Sequence, residues 1–380
     1  MTQRQAPSQM EQRQALSRKE QASRKESRQA PSQKDHRQAP LAKDHRQAPS
    51  QKDVAELAGV SSQTVSRVVN NRTNVDAQTR ERVLTAMRVL GYWTNGAART
   101  LATGQSRAFG LISFDLSAHG NARTIEAIAA AAQEAEYSVN IVGISAATEE
   151  AVQRAYARLT SQAVDGVVLI EARILDTATV HLPTSVPVVI ADGDPGRNFP
   201  AVDTNQAAGA RDATQHLLDL GHRTVWHVAG PRDSHAALRR AAAWHATLKE
   251  HRRMIPPLLY GDWSAESGLA AGRTLAERDD VTAIFAANDH MALGIIRALR
   301  EAGHAIPGDV SIVGFDDVRE ASCFLPPLTT IHQDFEAVGR RCVELLLDQV
   351  TRRGEMPGGT IASISPRLVE RASTAPPRGH

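Results

Sequence analysis

Four apolar runs of this chain stop on groups able to grip hydroxyls: Asp115 after AFGLISF, Asp192 after VPVVIA, Asn288 and Asp289 after AIFAA, and Asp316 and Asp317 after SIVGF. With Arg240 on a nearby helix and Trp263 in GDWSAES, the set suits a polyhydroxylated ligand. Carboxylates and a guanidinium fork hold adjacent hydroxyls, and an indole face stacks on the apolar side of a sugar ring. Any one strand-end Asp taken alone reads better as a helix cap or ion-pair partner. A second set lies earlier. Gln63 can pair bidentately with adenine and Arg67 with guanine O6 and N7, with Ser62 beside them, while Thr64, Ser66, Asn70, Asn74 and Thr79 suit phosphates. No GxSxG elbow, phosphate loop or metal-spaced His pair occurs, so no enzyme, metal or cofactor is expected. Cys323 and Cys342 lack any ligand spacing and read as buried, reduced residues.

The elements that must position the early set are three short helices. Ser50-x-x-Asp53 is a capping-box start, Val54, Leu57 and Ala58 repeat at helical spacing, and Gly59 ends the first helix. Ser61 can cap a second helix with Val65, Val68 and Val69 inward and Ser62, Gln63, Ser66 and Arg67 on the polar face. A third starts at Asp76 and turns Val83, Met87 and Leu90 inward before Gly91. This is a helix-turn-helix whose second helix is available to the major groove. The Ala-rich stretch from Asn95 through Arg99 and Leu101 to Gly104 is too short to be helical alone in water. Spacing leaves Leu101 open to two readings, a minor-groove wedge from a hinge helix that forms on DNA, or a linker residue packed on the body.

The late set sits in a body where apolar runs (108–114, 139–144, 166–170, 188–191, 224–229, 283–286, 311–315) alternate with amphipathic helices, the pattern of parallel sheets covered by helices. In such sheets ligands bind outside the carboxyl ends of the strands.

Charge divides the chain the same way. Residues 1–50 hold eleven Lys and Arg against five Asp and Glu, and residues 51–95 hold six against four, so with a total of +2 the remainder is acidic. A basic front on an acidic body suits a protein whose front alone meets phosphate. RQAPSQKDH, RQAPLAKDH and RQAPSQKDV repeat in tandem over 28–54, and the stretch up to 49 has too few apolar side chains to offset its ordering entropy. It reads as a disordered basic tail, either an arm adding non-specific DNA attraction or a solvated extension. No signal peptide and no run near the ~20 apolar residues of a membrane helix is present, so a cytoplasmic protein without membrane contact is expected.

VAELAGVSSQTVSRVVN (54–70), GDWSAESG (261–268), ANDHMALG (287–294) and SCFLPPLTTIHQDF (322–335) closely resemble the LacI/GalR family of repressors, a similarity running from about Ser50 to Thr374. The resemblance implies a fold of an all-α helix-turn-helix head and an α/β two-lobed sensor like periplasmic binding proteins, with three crossovers. It implies a head over 50–95, a hinge helix and linker over 96–106 and a ligand-binding and dimerisation body over 107–374, with disordered ends expected over 1–49 and 375–380. The lobes fall at 107–205 plus 333–362 and at 206–332 plus a C-terminal strand. By resemblance the effector-site positions are Asp192, Arg240, Trp263, Asn288, Asp316, Gln333 and Phe335. The partners implied are double-stranded operator DNA, a small galactoside-like sugar that releases it, and a second copy of the chain. Asn95, Arg99 and Leu101 then belong to the DNA-dependent hinge.

Departures from the family pattern carry their own expectations. Ser62 stands where a base-reading Tyr is found, so the operator differs. Phe114 replaces a small hydroxyl residue and Ile170 an amide, so the pocket is reshaped and another sugar, or a corepressor, stays open. Gly96 weakens the hinge helix, Ala243 replaces a common Gly, and STAPPRGH at the end carries no leucine heptads, which implies a dimer and not a tetramer. Replacing Arg67 with Ala is expected to abolish specific operator binding through loss of a contact of ~1 to 3 kcal/mol, whereas Ser62 substitutions change which operator is preferred. Selection from randomised DNA checks this, and an identical site for both variants would contradict it.

Overall fold

The computed structural model describes residues 49–69, 72–92, 104–176, 181–183, 185–193, 199–352 and 359–378. The repetitive tail through 48, Asn70, and the hinge positions Asn95, Gly96, Arg99 and Leu101 lie outside them. The chain divides into two compact units at Trp93 and Thr94.

In the first unit, α1 (Gln51–Ala58) starts on the Ser50 capping box: the Ser50 N–H donates to Asp53 Oδ2 at 2.7 Å, and the Asp53 N–H donates back to Ser50 Oγ. Gly59 closes the helix at φ 64°, a left-handed conformation that costs glycine nothing. The Thr64 N–H donates to Ser61 Oγ at 3.2 Å at the start of α2 (Ser62–Val69), and the Thr79 N–H donates to Asp76 Oδ1 at 2.8 Å in α3 (Ala77–Leu90). The core is Val54, Ala55, Ala58, Val65, Val68, Val83 and Ala86. The expected inward Leu57 is 53% exposed and Ala55 takes its place. At 100° per residue, positions 54, 58 and 55 span one arc and position 57 falls outside it. Met87 and Leu90 are likewise only half-buried, with Ala86 facing in.

The second unit contains two six-stranded sheets. The first, ordered β11-β5-β4-β3-β1-β2, uses β1 (Ala108–Phe114), β2 (Ser138–Ile144), β3 (Gly166–Ile170), β4 (Val188–Ala191), β5 (Ala201–Thr204) and β11 (Ile361–Ile364). The second, ordered β12-β10-β9-β8-β6-β7, uses β6 (Trp226–Ala229), β7 (Leu259–Tyr260), β8 (Ala283–Ala286), β9 (Ser311–Asp316), β10 (Thr329–His332) and β12 (Arg367–Val369). Every pairing is parallel except β10 with β12. β1, β3, β4, β6, β8 and β9 are buried throughout, which is why they read as unbroken apolar runs.

Helices cover both faces of each sheet. On the first, α4 (His119–Glu134) and α10 (Phe335–Arg352) face α5 (Glu149–Ser161) across the strands. On the second, α6 (Gln206–Asp219) and α7 (His235–Glu250) face α8 (Ala265–Ala276) and α9 (Asp289–Glu301). The chain passes between the lobes after Thr204, after His332 and after Ile364. The last crossing falls two residues beyond position 362, because β11 keeps pairing with β5 through Ile364↔Thr204.

Two expectations need correction. The end of the chain is tied down as far as Arg378, not loose from 375: the Ala375 carbonyl accepts from Ser311 Oγ at 2.9 Å, and Arg378 pairs with Asp309 at 2.7 Å. Backbone groups beside β9 and β10 remained to be satisfied, and this small-residue segment fits against them. Cys342 is buried, but Cys323 is exposed on the 3₁₀ turn Arg319–Cys323, where Ala321 is the inward residue.

α8 and α9 cross with almost no room. A Cβ on Gly294 would overlap the Ala265 carbonyl oxygen and come within 2.5 Å of Leu269 N. Gly294→Ala is therefore expected to destabilise the body by ~1 to 3 kcal/mol, the usual overpacking range, read as a lower urea midpoint.

Candidate functional site

The strand ends of both lobes converge on a cavity of about 260 Å³. Asp115 follows β1, Asp192 follows β4, Asp316 ends β9, and Trp263 follows β7. All four have left-handed backbones, with φ of 37°, 54°, 110° and 75°. Such conformations cost non-glycine residues ~1 to 3 kcal/mol each, and they cluster where side chains are aimed at a ligand. Asn288 precedes α9, caps it by accepting from the Met291 N–H at 2.9 Å, and donates to the Trp263 carbonyl at 3.0 Å.

At the floor of the cavity Arg240, on α7, is 4% exposed. Its Nε donates to Gln206 Oε1 at 2.8 Å, its Nη1 donates to the Ala287 carbonyl, its Nη2 lies 3.7 Å from Asp316 Oδ1, and its guanidinium stacks 3.6 Å from the Phe315 ring centre. Gln206 Nε2 donates to Gln333 Oε1 at 3.0 Å, and Gln333 Nε2 donates to Asp316 Oδ1 at 2.7 Å. Burial lowers the Arg240 pKa to about 10, with Asp316 opposing, so the group stays charged at neutral pH. Burial raises the Asp316 carboxyl, with Arg240 pulling it back. Asp192 is also raised by burial, and its Oδ1 is buried without accepting a hydrogen bond.

Asp192, Arg240, Trp263, Asn288, Asp316, Gln333 and Phe335 thus all line this one cavity. Trp263 and Phe335 supply apolar walls, and Phe114 lines the first-lobe side; Ile170 instead packs into the core beneath α10. Ala243 packs half-buried against the second lobe's core and nothing in the structure accounts for the exchange from Gly. Asp289 and Asp317 behave as structural groups. Asp289 accepts from Thr330 Oγ1 and the Val318 N–H, and Asp317 pairs with Arg371 at 2.6 Å. Gln206 was not legible as a site residue: it follows Asn205, the cap of α6, and only the crossing between lobes turns it to Arg240 and Gln333. His119, lowered in pKa by burial, also lines the cavity.

On the first unit, Ser62, Gln63 and Arg67 are exposed on one face of α2, opposite buried Val65 and Val68. Thr64 and Ser66 are half-buried, the Thr64 hydroxyl paired with Ser61 at 2.9 Å. Asn74 is exposed, and Thr79 is half-buried beside its cap Asp76. Among the described residues no group of three His, Cys, Asp or Glu could hold a metal, and no helix is long and apolar enough to cross a membrane.

Comparison with known proteins decides the family. Residues 50–95 match the bacterial regulatory proteins of the lacI family, and residues 214–374 match the periplasmic binding protein-like domain. The lactose operon repressor of Escherichia coli (strain K12) is 37% identical over 330 residues, spanning 85% of this chain and 90% of its own. The chain belongs to the LacI family. Among solved structures, the Lac repressor dimer bound to operator and the anti-inducer ONPF is similar with a TM-score of 0.75 and 34% identity, covering 86% of this chain and 99% of that one. The complex of the transcriptional regulator CelR with cellobiose gives 0.63 and 32%, with the same coverage. As a LacI-family protein the chain is a DNA-binding transcriptional regulator that responds to a small-molecule effector, and not an enzyme.

Beside the cavity, Asp203 on β5 has its carboxyl raised from 3.8 to about 7 by burial and by the neighbouring Asp192, opposed by Arg239, its 2.5 Å ion-pair partner. A carboxyl raised above its unfolded value favours the folded chain most below pH 3.8, and that contribution is lost as pH rises through about 7. The Asp203 carboxyl carbon is expected to titrate by NMR near 7, and higher in Arg239→Leu, because the guanidinium stabilises the ionised form. A midpoint at the ordinary value would contradict the burial argument.

Proposed function

We propose that this LacI-family protein is a cytoplasmic, sugar-responsive repressor. It binds operator as a dimer through the head at 50–95 and the hinge at 96–106, and a small sugar held in the body at 107–374 releases it. The observation that carries the reading is the cavity itself: Asp192, Arg240, Asn288, Asp316 and Gln333 line it together with the aromatic side chains of Trp263 and Phe335. That chemistry suits adjacent hydroxyls on a ring with an apolar face. Ser62, Gln63 and Arg67 are the proposed base readers. Thr64, Ser66, Asn70, Asn74 and Thr79 are proposed for phosphates, and Asn95, Arg99 and Leu101 for the hinge. Phe114 on the first-lobe wall leaves no hydroxyl there, which favours a sugar other than a simple galactoside, and the cellobiose-bound relative makes a glucoside the first probe.

A sugar can shift the lobes only by the difference in its affinity for their two arrangements. Moving a dimer from mostly DNA-competent to mostly incompetent requires a preference of up to ~5.5 kcal/mol, so one lost charge-assisted contact impairs the response. A thermal-shift screen of mono- and disaccharides identifies the ligand, since one at 100 times its Kd stabilises by ~2.7 kcal/mol. Asp316→Ala and Arg240→Ala are then expected to bind operator as dimers but not respond to that sugar, and operator is expected to change the sugar affinity of the unmodified protein by a reciprocal factor. Equal sugar affinities with and without operator in calorimetric titrations would overturn this reading.

A further inference from the structure

Among the described residues, two Arg–Asp pairs join the lobes outside the Arg240 network. Arg173, after β3, donates to Asp233, before α7, with Nε at 2.9 Å. Those side chains are 42% and 46% exposed, and a pair so open contributes little. The other pair is different. Arg239, on α7 of the second lobe, holds Asp203 on β5 of the first lobe at 2.5 Å, with side-chain exposures of 24% and 18%, and its Nη2 donates to the carbonyl of Gly193.

Both points it grips flank Asp192. Gly193 is the next residue in the chain, and the Asp192 N–H donates at 3.0 Å to the carbonyl of Val202, the residue before Asp203. Asp192 itself is held at φ 54° with a buried, unpaired Oδ1. Arg239 and Arg240 are consecutive on one helix turn, so the same turn offers one guanidinium to the cavity and the other to the first lobe.

We infer that Arg239 is a positioning residue for the effector cavity, whose forked guanidinium fastens the ends of β4 and β5 to α7 and so sets Asp192 opposite Arg240 while the lobes are together. This rests on reading the cavity as the effector site. Separation of the lobes removes both acceptors from Arg239 at once, so the latch belongs to one arrangement and biases the equilibrium on which the effector acts. A lysine, a point charge without the fork, satisfies one acceptor and not both.

The test uses the full-length protein with Arg239→Leu, Arg239→Lys, Asp203→Asn and the Leu/Asn double variant, each confirmed folded by its melting curve. Without ligand, amide hydrogen exchange at Asp192 and Gly193 is expected to quicken at least tenfold in Arg239→Leu, less in Arg239→Lys, and no more in the double variant than in Arg239→Leu, while α5 and α8 are unchanged. Cellobiose is the probe for the second arm: if it binds the unmodified protein, its Kd is expected to rise about tenfold in Arg239→Leu and by less in Arg239→Lys. Absence of cellobiose binding to any form would discard that sugar and leave the exchange arm to decide. Unchanged exchange at 192–193 in Arg239→Leu, or effects that multiply in the double variant, would overturn the proposal.

Discussion

A buried guanidinium governs the body of this protein. Removing the Arg240 charge from water is affordable only where acceptors surround it, and those acceptors come from separate segments: Gln206 after the first crossing, the carbonyl of Ala287 beside α9, and Asp316 at the end of β9. Gln333 at the second crossing then fixes both Gln206 and Asp316. Satisfying one charge therefore sets the geometry of two of the three strands of chain that join the lobes.

That arrangement explains why the cavity is both polar and ordered. Half-satisfied polar networks are costly, so the members hold one another in place, and the oxygen left over on Asp192 is a natural place for a ligand hydroxyl to donate. The left-handed backbones at Asp115, Asp192, Trp263 and Asp316 are the conformational side of the same demand, each turning a strand end toward the cavity. The parallel sheets behind them, sealed by helices on both faces, supply the rigidity that such strained ends require.

Membership of the LacI family accords with a body whose lobes meet across a polar cavity and with a three-helix unit that keeps its polar helix face exposed. Phe114 lines the first-lobe side of that cavity, and Ser62 is a short residue on the exposed face of α2.

Local rules were legible along the chain. The Ser50, Ser61 and Asp76 caps, the turn at Gly59 and seven strands, six of them buried throughout, follow from residue types and spacing within a few positions, because capping and burial periodicity act over one turn or one strand. The cavity residues Gln333 and Phe335 were reached through family resemblance alone. Short strands such as β5 and β7, the exposure of Leu57 and Cys323, the anchoring of Ala375 to Ser311, and the place of Gln206 were not legible. Each depends on what lies across the fold: Leu57 on the direction from which α2 and α3 pack, Gln206 on a residue 127 positions away. Spacing announces which groups a segment can offer, but a hydrogen bond between distant segments exists only once the lobes are assembled, since its energy depends on burial and angles that no stretch of chain contains.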